Sequence, residues 1–276
     1  MTYKSLMVHL ELNGDNEGVL KIAGDLAQKF DASVIGIAAC QPLQLLAYEG
    51  FSDGEAMVMD RTEIEKELDV AAAQFHTALQ PRARHIEWRS AITYGSLAEY
   101  IADQARAADL IITGKDLGAN LLDESRRVNV GDLVMRAGRP VLIVPQGVTA
   151  LNMRHAVIGW KEAREARRAV ADALPLLQLA GQATVLAVTT QDACDRTRGQ
   201  VQDVAKWLEE HDVRATADVA VTGGVEVGHL HASLMDRRCD LLVAGAYGHS
   251  RLSEWVFGGV TMDMLLDPDF CVLASH

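Results

Sequence analysis

Two glycine clusters in the last third of the chain are the residues best suited to chemistry. Gly245-Ala246-Tyr247-Gly248 follows the apolar run Leu241–Ala244, and after nine intervening residues come Gly258-Gly259-Val260-Thr261. Glycine lets backbone amides approach an anion closely, and a helix start adds unsatisfied N–H groups with a favourable dipole. Two such clusters brought together by the segment between them could cradle a di- or triphosphate. An isolated Gly-x-x-Gly is explained equally well by tight turns after strands. His249, next to Gly248, could contact a phosphate or serve as a base, but no carboxylate partner for it is visible. His229-Leu230-His231 is the one close histidine pair, and on a helix residues i and i+2 point to different faces, which argues against a metal site. The chain has no G-x-x-x-x-G-K-[ST] loop, no G-x-G-x-x-G fingerprint and no G-x-S-x-G elbow.

The elements that would position these residues are written twice. Ala108-Asp109-Leu110-Ile111-Ile112-Thr113-Gly114 is answered by Cys239-Asp240-Leu241-Leu242-Val243-Ala244-Gly245, 131 residues on, and Val141 and Val272 keep the same offset. Such a repeat indicates two copies of one α/β domain. Strands are predicted over Ser5–Leu12, Ser33–Ala39, His85–Ala91, Leu110–Thr113 and Val141–Val144, alternating with helices over Glu17–Phe30, Arg61–Leu79, Ser96–Ala107 and Val130–Ala137. The second half predicts strands Ala156–Trp160, Ala183–Thr189, Ala215–Val221, Leu241–Ala244 and Cys271–Ala274. Its helices are Arg164–Leu179, Arg198–His211, Val227–Asp236 and Thr261–Leu266. Apolar strands without alternation, joined by helices, imply a parallel sheet covered on both faces. The expected architecture is therefore α/β, two tandem doubly wound, Rossmann-like five-stranded domains over residues 1–147 and 153–276, with a short linker. Residues 41–60, with Leu45, Leu46, Tyr48, Phe51, Met57 and Met59, read as an inserted packed flap, an ordinary covering loop in preference to a ligand lid.

Composition narrows the partners. The 276 residues are 49% apolar, enough for each half to bury its own core. A net charge of −12 argues against nucleic acid or an anionic membrane as partner, since both select basic surface. No apolar run approaches the roughly 20 residues that span a bilayer, and the first residues read as a strand rather than a signal peptide. Cys40, Cys194, Cys239 and Cys271 show no paired spacing and are expected to be buried thiols in a reducing cytoplasm. Glu162, Arg164, Glu165, Arg167 and Arg168 are expected to form a solvated helix face.

Gly-x2-Gly-x9-Gly between the penultimate and last strands resembles the ATP-binding signature of universal stress proteins, and the likeness runs through both halves. The segment Gly245–Leu252 is especially similar to the tandem bacterial members. The resemblance implies a stress-response protein that binds ATP or a related adenine nucleotide, with Mg2+ as companion ion, without fast turnover. Gly245, Gly248 and Gly258 would line the phosphate path, with His249, Val260 and Thr261 beside it. Gly223-Gly224 resembles the ribose-side turn. Two positions depart from the pattern. Gly259 stands where the family carries a Ser or Thr hydroxyl. Lys161 stands where ATP-binding members end their first strand with Asp, and an ammonium cannot accept a hydrogen bond. The first half has lost the signature: Leu117, Arg127 and Val128 occupy the glycine positions and should obstruct a phosphate, so at most one site per chain is expected. The alternatives are a nucleotide-free protein acting through partner contacts and a slow nucleotide hydrolase. An intramolecular pseudo-dimer through the closing strands, or a homodimer built the same way, is also expected.

Overall fold

The computed structural model describes residues 2–42, 54–115, 127–222, 232–246 and 270–276. Along the chain, β1 (Ser5–His9), α1 (Glu17–Phe30), β2 (Ser33–Cys40), α2 (Gly54–Leu79), β3 (Ile86–Ile92), α3 (Leu97–Gln104), β4 (Leu110–Gly114), α4 (Val130–Ala137) and β5 (Val141–Val144) follow one another. They are succeeded by β6 (His155–Gly159), α5 (Arg164–Leu177), β7 (Gln182–Thr189), α6 (Cys194–Glu209), β8 (Ala215–Val221), β9 (Leu241–Gly245) and β10 (Cys271–Ser275). Residues 232–236 are also helical. The expected alternation of strand and helix is thus present among the described residues; the helix expected over Thr261–Leu266 lies outside them.

Two compact units result. The first, Tyr3–Ala137, holds parallel strands in the order β3-β2-β1-β4. The second takes in Gly138–His276. Its order is β5-β10-β9-β6-β7-β8, with β10 parallel to β9 and antiparallel to β5. In each unit the strand that comes first in the repeat, β1 or β6, sits between neighbours reached in opposite directions. That reversal is where ligands bind in an open parallel sheet, beyond the carboxyl ends of the strands.

The repeated aspartate explains why the two halves match. Oδ2 of Asp109 accepts from the backbone N–H of Lys4 at 2.7 Å and of Ser5 at 3.0 Å. Oδ2 of Asp240 accepts from Arg154 N–H at 2.8 Å and His155 N–H at 3.0 Å. One carboxylate thus ties the start of the first strand to the start of the fourth in each unit, and fixes their stagger.

Packing fills the sheets as the apolar runs require. Leu6, Met7, Leu110, Ile111 and Ile112 are fully buried, as are Leu241, Leu242 and Val243. Over β2, Gly36 lets α2 approach: a Cβ there would lie 2.7 Å from Phe75 Cδ2 and 2.7 Å from Trp88 Cε3. All four cysteines are buried free thiols. Burial pushes Cys239 and Cys271 up to about 12, so both stay protonated and unreactive. No helix among the described residues is long and apolar enough to cross a membrane.

Two expectations are corrected here. Helix α2 begins at Gly54, so the carboxyl-terminal end of the supposed insertion is helix, and Met57 and Met59 are exposed at 44% and 72% rather than packed. Leu45, Leu46, Tyr48 and Phe51 lie outside the described residues. The charged face of α5 is not wholly solvated either, because Glu165 is only 8% exposed.

Candidate functional site

The reversal point of the second unit lies between β6 and β9, which pair in parallel from Ala156↔Leu241 to Gly159↔Ala244. Strand β9 ends in Gly245. A Cβ on this residue would fall 2.5 Å from Ala166 N, 2.5 Å from Glu165 C and 2.8 Å from Glu165 O, all backbone of the first turn of α5. The glycine is therefore needed for strand and helix to meet, whatever else it does. Beyond it, Ala246 N–H donates to Ser275 O at 2.6 Å, and the His276 ring sits 3.0 Å from Ala246 O through Nδ1.

Helix α5 opens at this point without a side-chain cap. Its N-cap, Ala163, is extended and offers no acceptor, so the first amides lack the oxygen that Ser, Thr, Asn or Asp would bring. The acid in that first turn is Glu165. Burial works to raise its carboxyl, yet the hydrogen bond from Arg164, its own backbone N–H and the charges of Arg164 and His276 together hold it below the usual carboxylate range. Arg164 Nε lies 2.5 Å from Glu165 Oε1. The outcome is an ionised, largely buried carboxylate at the strand-end crevice.

The neighbouring positions are less committed. Lys161 is exposed. Trp160 prolongs β6, its backbone N–H donating to Leu186 O at 2.8 Å, and the residue is 5% exposed. Its indole Nε1 is the one buried side-chain donor among the described residues without an acceptor. Such an orphan costs about 1–3 kcal/mol. Of the residues expected to contact nucleotide, Gly245 is described; Gly223, Gly224, Gly248, His249, Gly258, Gly259, Val260 and Thr261 lie outside the described residues. Among the described residues no cluster of His, Cys, Asp and Glu could hold a metal ion.

The first unit builds the same point differently. His9 ends β1, is 3% exposed, and its Nδ1 lies 2.9 Å from Thr113 Oγ1 on β4. Burial drives this imidazole from 6.5 down to about 4, leaving it neutral. A Cβ on Gly114, the counterpart of Gly245, would meet among the described residues only Val19 Cγ2, at 3.8 Å. Val128 is buried at 3%, Arg127 is half-buried, and Leu117 lies outside the described residues. The aspartate anchors put Lys4 and Ser5 opposite Arg154 and His155, so Glu11 answers to Lys161, 150 residues on. The half without the glycines thus carries an acid at the end of its first strand. Asn16 braces that turn, its Oδ1 accepting from Glu11 N–H and its Nδ2 donating to Glu11 O, both at 2.9 Å.

Glu165, Glu11 and His9 were not singled out by motif. Glu165 sits one turn before Ala169 and beside Ala166 on the buried stripe of α5, a spacing that marks it as inward. Glu11 is hidden because the front of the repeat is offset by 150 residues and the back by 131, the surplus lying between β2 and β3.

Solved structures with this architecture are distant in sequence. The chain matches a universal stress protein from Archaeoglobus fulgidus DSM 4304 with a TM-score of 0.77 at 12% identity, over 98% of this chain and 95% of that one. It matches a putative universal stress protein from Pseudomonas aeruginosa UCBPP-PA14 with a TM-score of 0.64 at 14% identity, over 99% and 93%. A functionally unknown protein from Pseudomonas aeruginosa PAO1 gives 0.61 at 16% identity, over 99% and 92%. No protein-family model and no curated protein matches the chain. The fold is that of the universal stress proteins in tandem form.

Proposed function

We propose that the chain is a cytoplasmic universal stress protein whose second domain holds ATP or a related adenine nucleotide without fast turnover. The observation that carries this reading is the ionised, buried carboxylate of Glu165 at the reversal point of the second sheet, beside the uncapped start of α5. A carboxylate accepts from ribose hydroxyls or an exocyclic amine, the role that Lys161 cannot fill. Phosphates would keep away from Glu165 and follow the backbone amides of Gly248 and Gly258, with any Mg2+ travelling on the nucleotide.

The partner-contact reading has one observation in its favour. Gly245 is fully explained by its fit against α5, so it is not by itself a phosphate residue. The hydrolase reading has no such support among the described residues.

The test is mass spectrometry of small molecules released from the purified protein, followed by calorimetric titration with ATP, with and without Mg2+. Adenine nucleotide at near-stoichiometric yield and one site per chain are expected. Gly248→Val should abolish binding. Glu165→Gln should weaken it about 10- to 100-fold, the loss of one hydrogen bond to a charged group. No released nucleotide and no heat would leave the partner-contact reading standing, and two equivalent sites would contradict the asymmetry.

A further inference from the structure

A cavity of about 440 Å³ lies between α5 and α6 in the second unit, within the range of roughly 300–1,000 Å³ that small-molecule pockets occupy. Val170, Ala171 and Val204 form its apolar wall, and two indoles, Trp160 and Trp207, line it as well. Four tryptophans occur in the whole chain, so half of them meet in one cavity. Trp207 is 37% exposed and held in place: its ring lies 4.1 Å from that of His211 at 34°, and its carbonyl sits 2.8 Å from His211 Nδ1. Three charges reach the cavity. Arg167 and Glu162 neutralise one another in an ion pair, whereas Asp203 makes no hydrogen bond or ion pair among the described residues.

From this juxtaposition we propose that the α5–α6 cavity is a binding site for a small amphipathic organic cation. Its apolar or aromatic body would lie against Val170, Ala171 and Val204, and its ammonium would sit between the indoles and the carboxylate of Asp203. The physical basis is threefold. Indole faces attract cations more strongly than other aromatic rings do. The apolar wall removes the body of the ligand from water. The uncompensated carboxylate selects the sign of the charge. The corresponding groove between α1 and α2 is larger, about 630 Å³, but among the described residues that line it none is aromatic. The specificity therefore belongs to the second unit. The cavity adjoins the crevice proposed for nucleotide through Trp160 and Glu162, but its test reads the α5–α6 side and stands whether or not nucleotide binds.

The experiment is titration of the full chain with 2-phenylethylammonium and with its neutral counterpart 2-phenylethanol, followed by the indole N–H signals in nitrogen-15 NMR. Trp160→Phe and Trp207→Phe assign the two signals. Saturable shifts at both, with the ammonium bound on the order of fivefold more tightly than the alcohol, are expected from one exposed charge pair. Asp203→Asn should erase that preference while leaving the alcohol unchanged and any ATP titration unaltered. The inference is overturned if neither ligand saturates, if shifts are confined to the other two tryptophans, if alcohol and ammonium bind alike, or if Asp203→Asn keeps the preference.

Discussion

At the scale of single residues, the two reversal points have been given opposite chemistry. His9 is neutral, buried and bonded to Thr113. Its value of about 4 lies below the 6.5 of a free imidazole, so as pH falls the unfolded chain takes up the proton first. The stability that His9 contributes is complete above pH 6.5 and is lost on acidification toward pH 4, about 3 kcal/mol for a shift of that size. His9→Asn should cost stability at neutral pH but flatten the decline between pH 6.5 and 4, as read from urea midpoints across that range. An unchanged slope would remove His9 from the account. Gly245 poses a steric question instead. Gly245→Ala should destabilise the protein by about 1–3 kcal/mol, since its Cβ would press on backbone rather than on a yielding side chain. Thermal unfolding would register this, and a variant as stable as the parent would mean that α5 has room to retreat.

At the scale of elements, the recurrent device is a carboxylate that staples the start of one strand to the start of its neighbour. Asp109 and Asp240 each accept two backbone N–H groups of the residues that enter β1 and β6. Replacing either with Ala leaves two amides without their acceptor. The expected cost is about 1–3 kcal/mol for each. The two sites share no partner, so their effects should add within about 0.5 kcal/mol in denaturant titrations of the single and double variants. A strongly non-additive result would show that the two staples are coupled. The helices carry a related lesson. Helix α5 hides Glu165 while Arg167 and Arg168 stay exposed, so different faces of one helix serve the crevice and the surface.

At the scale of the whole molecule, β5 closes the first repeat in sequence but groups with the second unit. It lies antiparallel to β10, with Ile143 opposite Val272 and Leu142 opposite Leu273. An apolar strand such as β10 left as an edge would offer unpaired backbone groups to any passing chain, and β5 covers it. Hydrogen exchange on the full chain should therefore find the amides of Val141–Val144 protected to the level of β9 and β10. Exchange as fast as in β8, whose outer residues are exposed, would refute the pairing.

The sequence by itself determined the α/β alternation and the duplication, because apolar strands and amphipathic helices are local patterns and Asp109 and Asp240 recur at a constant offset. Helices Glu17–Phe30 and Val130–Ala137 and strands Val141–Val144 and Ala215–Val221 fall on the residues their spacing predicts. It also indicated the strand end at Gly245, since a glycine after an apolar run is itself a local signal. Only the tertiary structure decided why Gly245 must be glycine, because the atoms it would strike belong to α5, some eighty residues earlier. Only the tertiary structure showed that Glu165 is buried and ionised and that Glu11 answers to Lys161, and it gave the antiparallel register of the expected pairing between the closing strands β5 and β10. Burial, charge pairing and strand partnership are set by residues distant in sequence, and a helix reads the same on paper whether its acid faces water or the crevice.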